Sequence, residues 1–292
     1  MNPSPEFFHQ YRSRLIGIAY RMLGSRADAE DILQEACIRW LTADVADLRS
    51  PEAWLVTVVT RLSIDRLRLA KMERENYVGA WIPEPWVMED APPPELAMEF
   101  AEDISIAFLM MLERLAPDER AAFLLHEVFE FGYPEIARIL GKSQVACRQI
   151  VHRARVRVRQ DRPRFEVSRE SSVLLLEKFI AATRTGDRAQ VLELLAEDVT
   201  VTGDGGGKVP TISRVLRGAR GVSRFYCGLT KLYQGRLECR IAEINGTPGI
   251  LRYLDGGLES ATSIVADGVH IMEIHIVRNP EKLRMIGLRS IK

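Results

Sequence analysis

The spacing of apolar residues changes once along this chain, near residue 168, and the change limits the folds that are open to it. Before this point apolar side chains recur every three or four residues, which is the period of an amphipathic helix. After it, helical stretches give way to alternating runs separated by Asn245-Gly246, Asp255-Gly256 and Asp267-Gly268. These dipeptides are typical of β-hairpin turns. The sequence therefore predicts a multidomain chain, with an all-α half followed by an α+β half whose curved sheet wraps onto helices.

The same patterns give approximate bounds for the elements. The helical period predicts helices over residues 7–23, 27–41, 52–71, 97–115, 133–141 and 144–160, with another beginning at Pro117. In the second half it predicts helices over 173–185 and 189–195 and within 217–233. Alternation predicts a strand reaching Thr202 and further strands over 237–244, 250–254, 261–266 and 269–277.

The charge of the chain is balanced in total but uneven in position. Its 292 residues, enough for two or three domains, include 40 basic and 40 acidic side chains, so the formal net charge is zero. Basic residues concentrate in 61–74 and 148–164, and acidic residues in 28–35 and 84–103. The balanced total therefore hides a basic surface suited to nucleic acid.

Several classes of protein are disfavoured by what the sequence lacks. It has no apolar run long enough to span a bilayer and no export signal at its start, so we expect a cytoplasmic chain without a membrane partner. The four cysteines form no Cys-x-x-Cys pair, and no His or Cys lies beside them at ligand spacing. We therefore expect reduced thiols, no metal and no cofactor. His270 and His275, five apart in an apparent strand, should face opposite sides of the sheet.

A basic helix near the middle of the chain is the strongest functional signal. The segment 144–160 carries Arg148, His152, Arg153, Arg155, Arg157 and Arg159. Before it, an amphipathic segment ends at Gly141, which can stop a helix, and Ser143 can cap the next one. A helix, a tight turn and a basic second helix can enter a major groove. An exposed basic helix in an all-helical domain is the simpler interpretation, and the turn chemistry favours DNA binding over it.

Between the two helical regions the sequence indicates an extended linker. Residues 75–96 contain three consecutive prolines and several carboxylates. A featureless linker would not need Trp81, Ile82 and Trp86, so we expect the segment to dock on the same chain or on a partner.

The helical half resembles the extracytoplasmic-function (ECF) sigma factors. The motifs that carry the resemblance are ADAEDILQEA (27–36), PEAWL (51–55) with the arginines of 61–68, LAPDER (115–120), YPEIA (133–137) and the basic helix. The resemblance implies a region 2 module (1–74), a linker (75–96) and a region 4 helix-turn-helix (97–164). It also implies core RNA polymerase and promoter DNA as partners.

The resemblance assigns roles by position. The helix that docks on polymerase would use Asp28, Asp31, Gln34, Glu35 and Trp40. The loop 47–53 and the following helix would read and melt the minus-ten element, with Arg61, Asp65, Arg66 and Arg68 on DNA. The second module would read the minus-thirty-five element with Ser143, Gln144, Arg148, His152, Arg153 and Arg155.

Residues 168–292 resemble a SnoaL-like domain, a cone of helices and curved mixed sheet. Three motifs place the chain in the ECF group with this extension: YVGAWIPEP (77–85), DGGGK (204–208) and NPEKL (279–283). Ala80, Ile82 and Glu281 depart mildly from the expected forms. The group implies that the extension replaces a separate anti-sigma factor and controls the DNA-reading modules in cis.

The contacts expected for this control join the linker to the extension. The residues concerned are Trp81, Pro83, Glu84, Pro85, Asp204, Gly205, Gly206, Gly207, Lys208, Asn279, Pro280 and Lys282. Lys208 is expected to pair with linker carboxylates such as Glu84, and the glycines to allow close backbone approach.

Two other functions stay open. One is a helix-turn-helix regulator that senses a small molecule and does not dock on polymerase. The other is an enzyme, because SnoaL-like domains resemble cyclases and isomerases with a carboxylate base; the available groups are Asp204, Asp255, Glu273, His270 and His275. Asp204, in a glycine-rich loop, is expected at the surface. A ligand in the cone without chemistry is a further alternative. The GGGK segment lacks the spacing of a P-loop.

Overall fold

The computed structural model describes residues 4–43, 48, 50–88, 104–160 and 167–287 of the 292. They form two compact units. The helical unit contains residues up to 75 together with 104 and 108–160, and the second unit contains 76–88, 105–107 and 167–287. The segment 76–88, expected to be part of a linker, thus belongs to the second unit.

The first module of the helical unit has three helices. They are α1 (Pro5–Leu23), α2 (Arg26–Thr42) and α3 (Pro51–Glu75). Ser4 and Ser25 cap the first two by accepting hydrogen bonds from backbone amides of the first turn. Gly24, with φ of 63°, ends α1 in the left-handed conformation. The apolar faces meet in a core that includes Leu15, Leu33 and Leu55.

The second module contains four helices in the described residues. They are α4 (Ile106–Leu112), α5 (Pro117–Glu127), α6 (Tyr133–Leu140) and α7 (Gln144–Gln160). Gly141 (φ 64°) ends α6, and the Ser143 hydroxyl accepts a hydrogen bond from the Ala146 amide 3.1 Å away. The predicted helix-turn-helix is confirmed.

Helix α4 is shorter than the predicted 97–115. Residues 97–103 lie outside the described residues. At the other end the backbone tightens, because the amides of Arg114 and Leu115 bond to carbonyls three residues back, at Met111 and Leu112. Hydrogen bonds of this kind close an α-helix with a narrower turn, so the helix ends before Leu115.

The second unit packs helices on one mixed sheet. The helices are α8 (Arg169–Thr185), α9 (Arg188–Glu193), α10 (Ala219–Tyr233) and α11 (Pro280–Gly287). The strands are β1 (Val87–Met88), β2 (Leu195–Asp204), β3 (Leu216–Arg217), β4 (Leu237–Ile244), β5 (Thr247–Leu254), β6 (Gly257–Ala266) and β7 (Ile271–Val277). Their order is β1-β4-β5-β6-β7-β2-β3, with β2 parallel to β7 and the other pairs antiparallel. The predicted α+β domain with a mixed sheet is confirmed.

Two of the three predicted turn dipeptides form tight turns with both residues at positive φ. Asn245 and Gly246 join β4 to β5, and Asp255 and Gly256 join β5 to β6. This backbone matches the twist of the strands on either side, and it places β4, β5 and β6 side by side in chain order.

The third dipeptide behaves differently, and the predicted strand 269–277 is wrong at its start. The Asp267 carboxylate accepts hydrogen bonds from the amides of Val269 and His270, at 2.8 and 2.6 Å. These bonds hold both residues in the turn, so β7 begins at Ile271. His270 therefore lies outside the strand, and only His275 has a sheet face.

The core of the second unit lies between the concave face of the sheet and the helices α8 and α10. Ile250 and Ile274 from the sheet are buried with Phe179 and Tyr226 from the helices. The two aromatic rings meet edge to face, with centroids 4.9 Å apart.

Candidate functional site

A buried carboxylate binds the segment 76–88. Asp204, at the end of β2, has no exposed surface. Its two oxygens accept hydrogen bonds from the Tyr77 hydroxyl (2.6 Å), the Ile82 amide (3.0 Å) and the Lys282 ammonium (2.7 Å). The Gly206 amide donates a fourth at 3.0 Å. The expectation that Asp204 lies at the surface is wrong, because the strand before it is buried and residues 77–82 cover it.

Lys282 is the cation of this site. Its ammonium also donates to the Ile82 carbonyl at 2.5 Å and lies 4.2 Å from the centroid of a Trp81 ring. A buried ion pair is stable only when further hydrogen bonds satisfy both partners, and here the donors on Asp204 and the carbonyl on Lys282 do so. Burial and the hydrogen bond to Asp204 raise the pKa of Tyr77, so its hydroxyl keeps the proton that it donates.

The DGGGK and NPEKL motifs meet at Asp204. Its carbonyl accepts hydrogen bonds from the amides of Arg278 (2.7 Å) and Asn279 (3.0 Å). The Asn279 side chain donates to the Tyr77 hydroxyl at 2.9 Å and accepts from the Glu281 amide at 3.0 Å. One asparagine thus starts α11 and also holds the tyrosine. The structure brings together the three motifs that the sequence analysis grouped.

Gly206 is required by both its conformation and its surroundings. Its φ is 61°, and a β-carbon built on it would lie 2.3 Å from the side-chain nitrogen of Asn279. Gly207 has φ of 70° and would bring a β-carbon to 3.0 Å from Val78. Any larger residue at these positions would displace the linker or the asparagine.

The predicted pairing of Lys208 with Glu84 is wrong. Lys208 forms its ion pair with Glu281 of α11, while Glu84 is buried between two buried prolines, Pro83 and Pro85. The side chain of Lys208 is exposed because the glycine turn carries it away from the covered strand end. Lys282, one turn into α11, takes the place beside the linker instead.

A second contact, which the sequence analysis missed, fixes the end of the segment. The Trp86 amide donates to the Asn245 side chain at 2.9 Å, and the Asn245 amide donates to the Trp86 carbonyl at 2.8 Å. The next residues form β1, which pairs with β4 through Val87 and Ile244. Asn245 was predicted only as a turn residue. An asparagine at a hairpin turn carries no signal in the sequence that its side chain has a second partner.

In the helical unit, the candidate DNA-binding residues of α3 bind neighbouring elements. Arg61 donates to the carbonyls of Ile139 (2.9 Å) and Arg138 (3.2 Å), the last turn of α6. A guanidinium at this end of a helix satisfies carbonyls that lack intrahelical partners. Arg61 therefore connects the two modules of the unit through a residue that was predicted to touch DNA.

The other candidates on α3 are also paired. Arg68 bonds to Asp65 (3.1 Å) and to Asp118 of α5 (3.0 Å). Arg66 bonds to Asp28 of α2 (2.9 Å) and to Glu73 (3.1 Å). Two predicted sets thus meet in this structure, because Arg66 was assigned to DNA and Asp28 to polymerase. Of the loop 47–53, residues 47 and 49 lie outside the described residues.

Helix α7 presents the expected basic face. Ser143, Gln144, Arg148, His152 and Arg153 are exposed, while Cys147, Val151, Ala154 and Val158 are buried on the opposite side. The Arg148 guanidinium lies 5.4 Å from the centroid of the Tyr133 ring. Arg155 pairs with Glu127 at 2.5 Å, which raises the pKa of its guanidinium and directs the side chain to α5.

On α2, the predicted polymerase face contains one wrong residue. Asp31 and Gln34 are exposed, and Glu35 pairs with Arg39 at 2.8 Å. Trp40 is completely buried, with its indole nitrogen donating to the Ser4 carbonyl at 3.1 Å. Its large ring is a core side chain, so this structure does not offer it to a partner.

Two exposed apolar side chains take its place on the surface of α2. Ile38 is 58% exposed and Leu41 is 43% exposed. Helical spacing puts Ile38 on the same side as Gln34 and Asp31. Neither residue was predicted, although their position beyond the acidic turn was visible in the helical period.

The groups considered for catalysis are dispersed. Asp204 is occupied by its four donors, and Asp255 pairs with Arg236 in an exposed turn. His270 lies in the turn at the other end of β6. Glu273 and His275 approach each other at 3.1 Å on β7. They do not line a common cleft. No helix in the described part of the chain is long and apolar enough to cross a membrane.

Comparison with known proteins agrees with both units. The family described as Sigma-70 region 2 matches residues 7–72, and that described as Sigma-70, region 4 matches residues 105–158. The chain is 40% identical to the ECF RNA polymerase sigma factor SigJ of Mycobacterium tuberculosis over 94% of its length and 91% of the relative's. It is 28% identical to the probable ECF sigma factor SigI of the same species, over 97% and 95%.

The similarity extends to a solved structure. The crystal structure of the M. tuberculosis ECF sigma factor SigJ matches with a TM-score of 0.79 and 37% identity. The match covers 96% of this chain and 98% of the other. It therefore spans the helical half and the α+β half alike.

Proposed function

Because this chain belongs to the ECF RNA polymerase sigma factors, we propose that it binds core polymerase, directs initiation at promoters with minus-ten and minus-thirty-five elements, and is restrained in cis by capture of its own linker. The observation that carries the restraint is the occupied carboxylate of Asp204, which accepts from Tyr77, Ile82 and Lys282. The captured segment joins α3 to the second module, so its capture shortens the chain that allows the two modules to separate.

The residues proposed for polymerase are the exposed side chains of α2, namely Asp31, Gln34 and Glu35 with Ile38 and Leu41. Apolar side chains beside carboxylates are typical of a binding surface. Asp28 now pairs with Arg66. It would become available to polymerase once Arg66 releases it and binds a DNA phosphate.

The residues proposed for DNA differ in their availability. On α7, Ser143, Gln144, Arg148, His152 and Arg153 are exposed and would contact the minus-thirty-five element, with Arg155 beside them. On α3, Arg61 and Arg68 bond to the second module. They would reach the minus-ten strand only after the modules separate, since their hydrogen bonds now direct both guanidinium groups to α5 and α6 of the second module. The restraint therefore acts on the minus-ten contacts first.

We further propose that the chain works by binding and not by catalysis, in the cytoplasm where core polymerase is found, and without a separate anti-sigma factor. The dispersed carboxylates and imidazoles support the first statement. The captured linker supports the last, because it supplies within one chain the restraint that such a factor would exert.

In vitro transcription with core polymerase tests the proposal. Asp204→Asn removes the charge that pairs with Lys282 while preserving the shape of the side chain. We expect initiation to rise severalfold, because the linker is released. Asp255→Asn is the matched control, since Asp255 also pairs with a basic side chain, Arg236, but lies in an exposed turn. It should leave initiation unchanged.

Two results would contradict the proposal. If both variants initiate like the unaltered chain, capture of the linker does not limit transcription. If no form initiates from any promoter while DNA binding persists, a helix-turn-helix regulator that acts without polymerase takes its place.

A further inference from the structure

One arginine enters the interior of the second unit from the concave face of the sheet. Neighbouring positions across β4, β5 and β6 place Cys239, Arg252 and Ser260 in one row. The adjacent row contains Ile241, Ile250 and Thr262. Ile250 belongs to the core under the helices, and side chains two residues apart on a strand share a face. Arg252 therefore points into the cone.

Arg252 is buried without an ion pair. It is 6% exposed, and its guanidinium carbon lies 5.0 Å from the centroid of the Tyr226 ring. Among the described residues, no carboxylate lies within ion-pair distance of it. The nearby Glu259 bonds to Arg278 at 2.5 Å. Stacking on the ring covers one face of the guanidinium, while its five N–H donors point outward in the plane.

Two hydroxyl groups beside this arginine lack hydrogen-bond partners. They belong to Ser260, in the row of Arg252, and Thr262, in the adjacent row, and their oxygens are buried. The Tyr226 hydroxyl is held by the Arg252 guanidinium, which lies over its ring. Buried polar groups in folded proteins nearly always have partners. A buried cation and two unsatisfied hydroxyls in neighbouring rows of the sheet are therefore a set of donors that lacks its acceptor.

The charge of the site selects the sign of that acceptor. Burial alone would lower the pKa of Arg252, but attraction to Tyr226, Cys239 and Glu259 and the hydrogen bond to Tyr226 outweigh it and raise the pKa, so the group stays charged. Burial raises the pKa of Tyr226, so its hydroxyl keeps its proton. Glu259 is already paired with Arg278. The two arginines and one glutamate therefore leave the positive charge of Arg252 uncompensated.

The side chains around Arg252 indicate the chemical class of the missing acceptor. Beside the donors lie apolar core side chains, including Ile241, Ile250 and Phe179. A guanidinium binds a carboxylate through two parallel hydrogen bonds, and hydroxyls add single donors. We propose that the cone binds a small organic acid, with its carboxylate on Arg252, Tyr226 and Ser260 and its apolar body against the isoleucines. None of these residues takes part in the linker site at Asp204.

Titration of the full-length chain with benzoate and with hexanoate, followed by calorimetry, tests this inference. Benzamide and hexanamide are the controls, because they have the same shape without the charge. We expect both acids to bind at least tenfold more tightly than their amides. Inorganic phosphate should bind more weakly than either acid, because it has no apolar body.

The variants locate the site. Arg252→Met should weaken benzoate at least tenfold, and Tyr226→Phe severalfold. Arg240→Met is the matched control, since Arg240 of the neighbouring strand β4 lies 4.7 Å over the Tyr253 ring but has an exposed side chain. It should bind benzoate unchanged. Thermal unfolding in the absence of ligand identifies any variant that fails to fold.

Three outcomes would overturn the inference. The first is equal affinity for acids and amides in the unaltered chain, which needs no variant. The second is benzoate binding that survives Arg252→Met. The third is phosphate binding as tight as that of the acids, which would mean a plain anion site with no organic ligand.

Discussion

At the scale of single residues, the linker site depends on one glycine. Gly206 combines a left-handed backbone with the absence of room for a β-carbon, since Asn279 lies where that carbon would be. We predict that Gly206→Ala destabilises the second unit by more than the ~1–2 kcal/mol that a left-handed alanine costs alone. The excess arises because Asn279 must move and release Tyr77. Denaturant unfolding measures the first effect, and Trp81 fluorescence reports on release of the linker.

Gly256→Ala separates the cost of the left-handed backbone from the cost of the contact with Asn279. Gly256 also has a positive φ, of 83°, but a β-carbon there would meet nothing within 4 Å. It should lose stability through its backbone only and leave the fluorescence of Trp81 unchanged. Equal losses in the two variants would show that contact with Asn279 is unimportant.

At the scale of elements, the two-residue strand β1 depends on the turn beside it. We predict that Asn245→Gly, which tolerates the left-handed turn and removes the side-chain bond to Trp86, costs ~1 kcal/mol, the worth of one buried hydrogen bond. The backbone amide of Val87 should then exchange its hydrogen at least severalfold faster. Hydrogen exchange resolved by residue measures this.

Asp255→Gly is the corresponding change in the next hairpin. Asp255 occupies the same turn position, with φ of 50°, and pairs with Arg236 at the surface. Exchange at Val87 should not respond to it. If it responds equally, β1 depends on the sheet as a whole and not on Asn245.

At the scale of the whole molecule, the helical unit is held closed by a shared carboxylate. Glu113 binds Arg74 of α3 and Arg120 of α5, and Arg120 also donates to the Met22 carbonyl at 2.7 Å. We predict that Glu113→Gln separates the modules, because it removes the carboxylate charge from the ion pairs of Arg74 and of the buried Arg120, a loss of about 3–5 kcal/mol. Energy transfer between dyes on α2 and α7 should fall, and promoter DNA should bind more tightly.

Glu127→Gln is the matched change within one module, because Glu127 pairs with Arg155 of α7. It should leave the energy transfer unchanged. A fall in both variants would mean that loss of any carboxylate loosens the unit.

The sequence predicted what depends on nearby residues. The end of α1 at Gly24 and the turns at Asn245 and Asp255 follow from local backbone chemistry, which the sequence contains. The burial of Asp204 could not be predicted, and neither could the finding that Lys282, and not Lys208, lies beside the linker. Both depend on residues far apart in the chain. Trp40 shows the same limit on a helix, since its burial is completed by Ser4.

Tyr77 and Asn279, which touch at Asp204, lie 202 residues apart on one chain, and this has a consequence for dosage. A restraint carried by the same polypeptide is present in fixed one-to-one proportion, so diluting the protein or making more of it leaves the captured fraction unchanged. Binding to polymerase, by contrast, follows mass action. The output of such a factor would therefore rise with the supply of free polymerase.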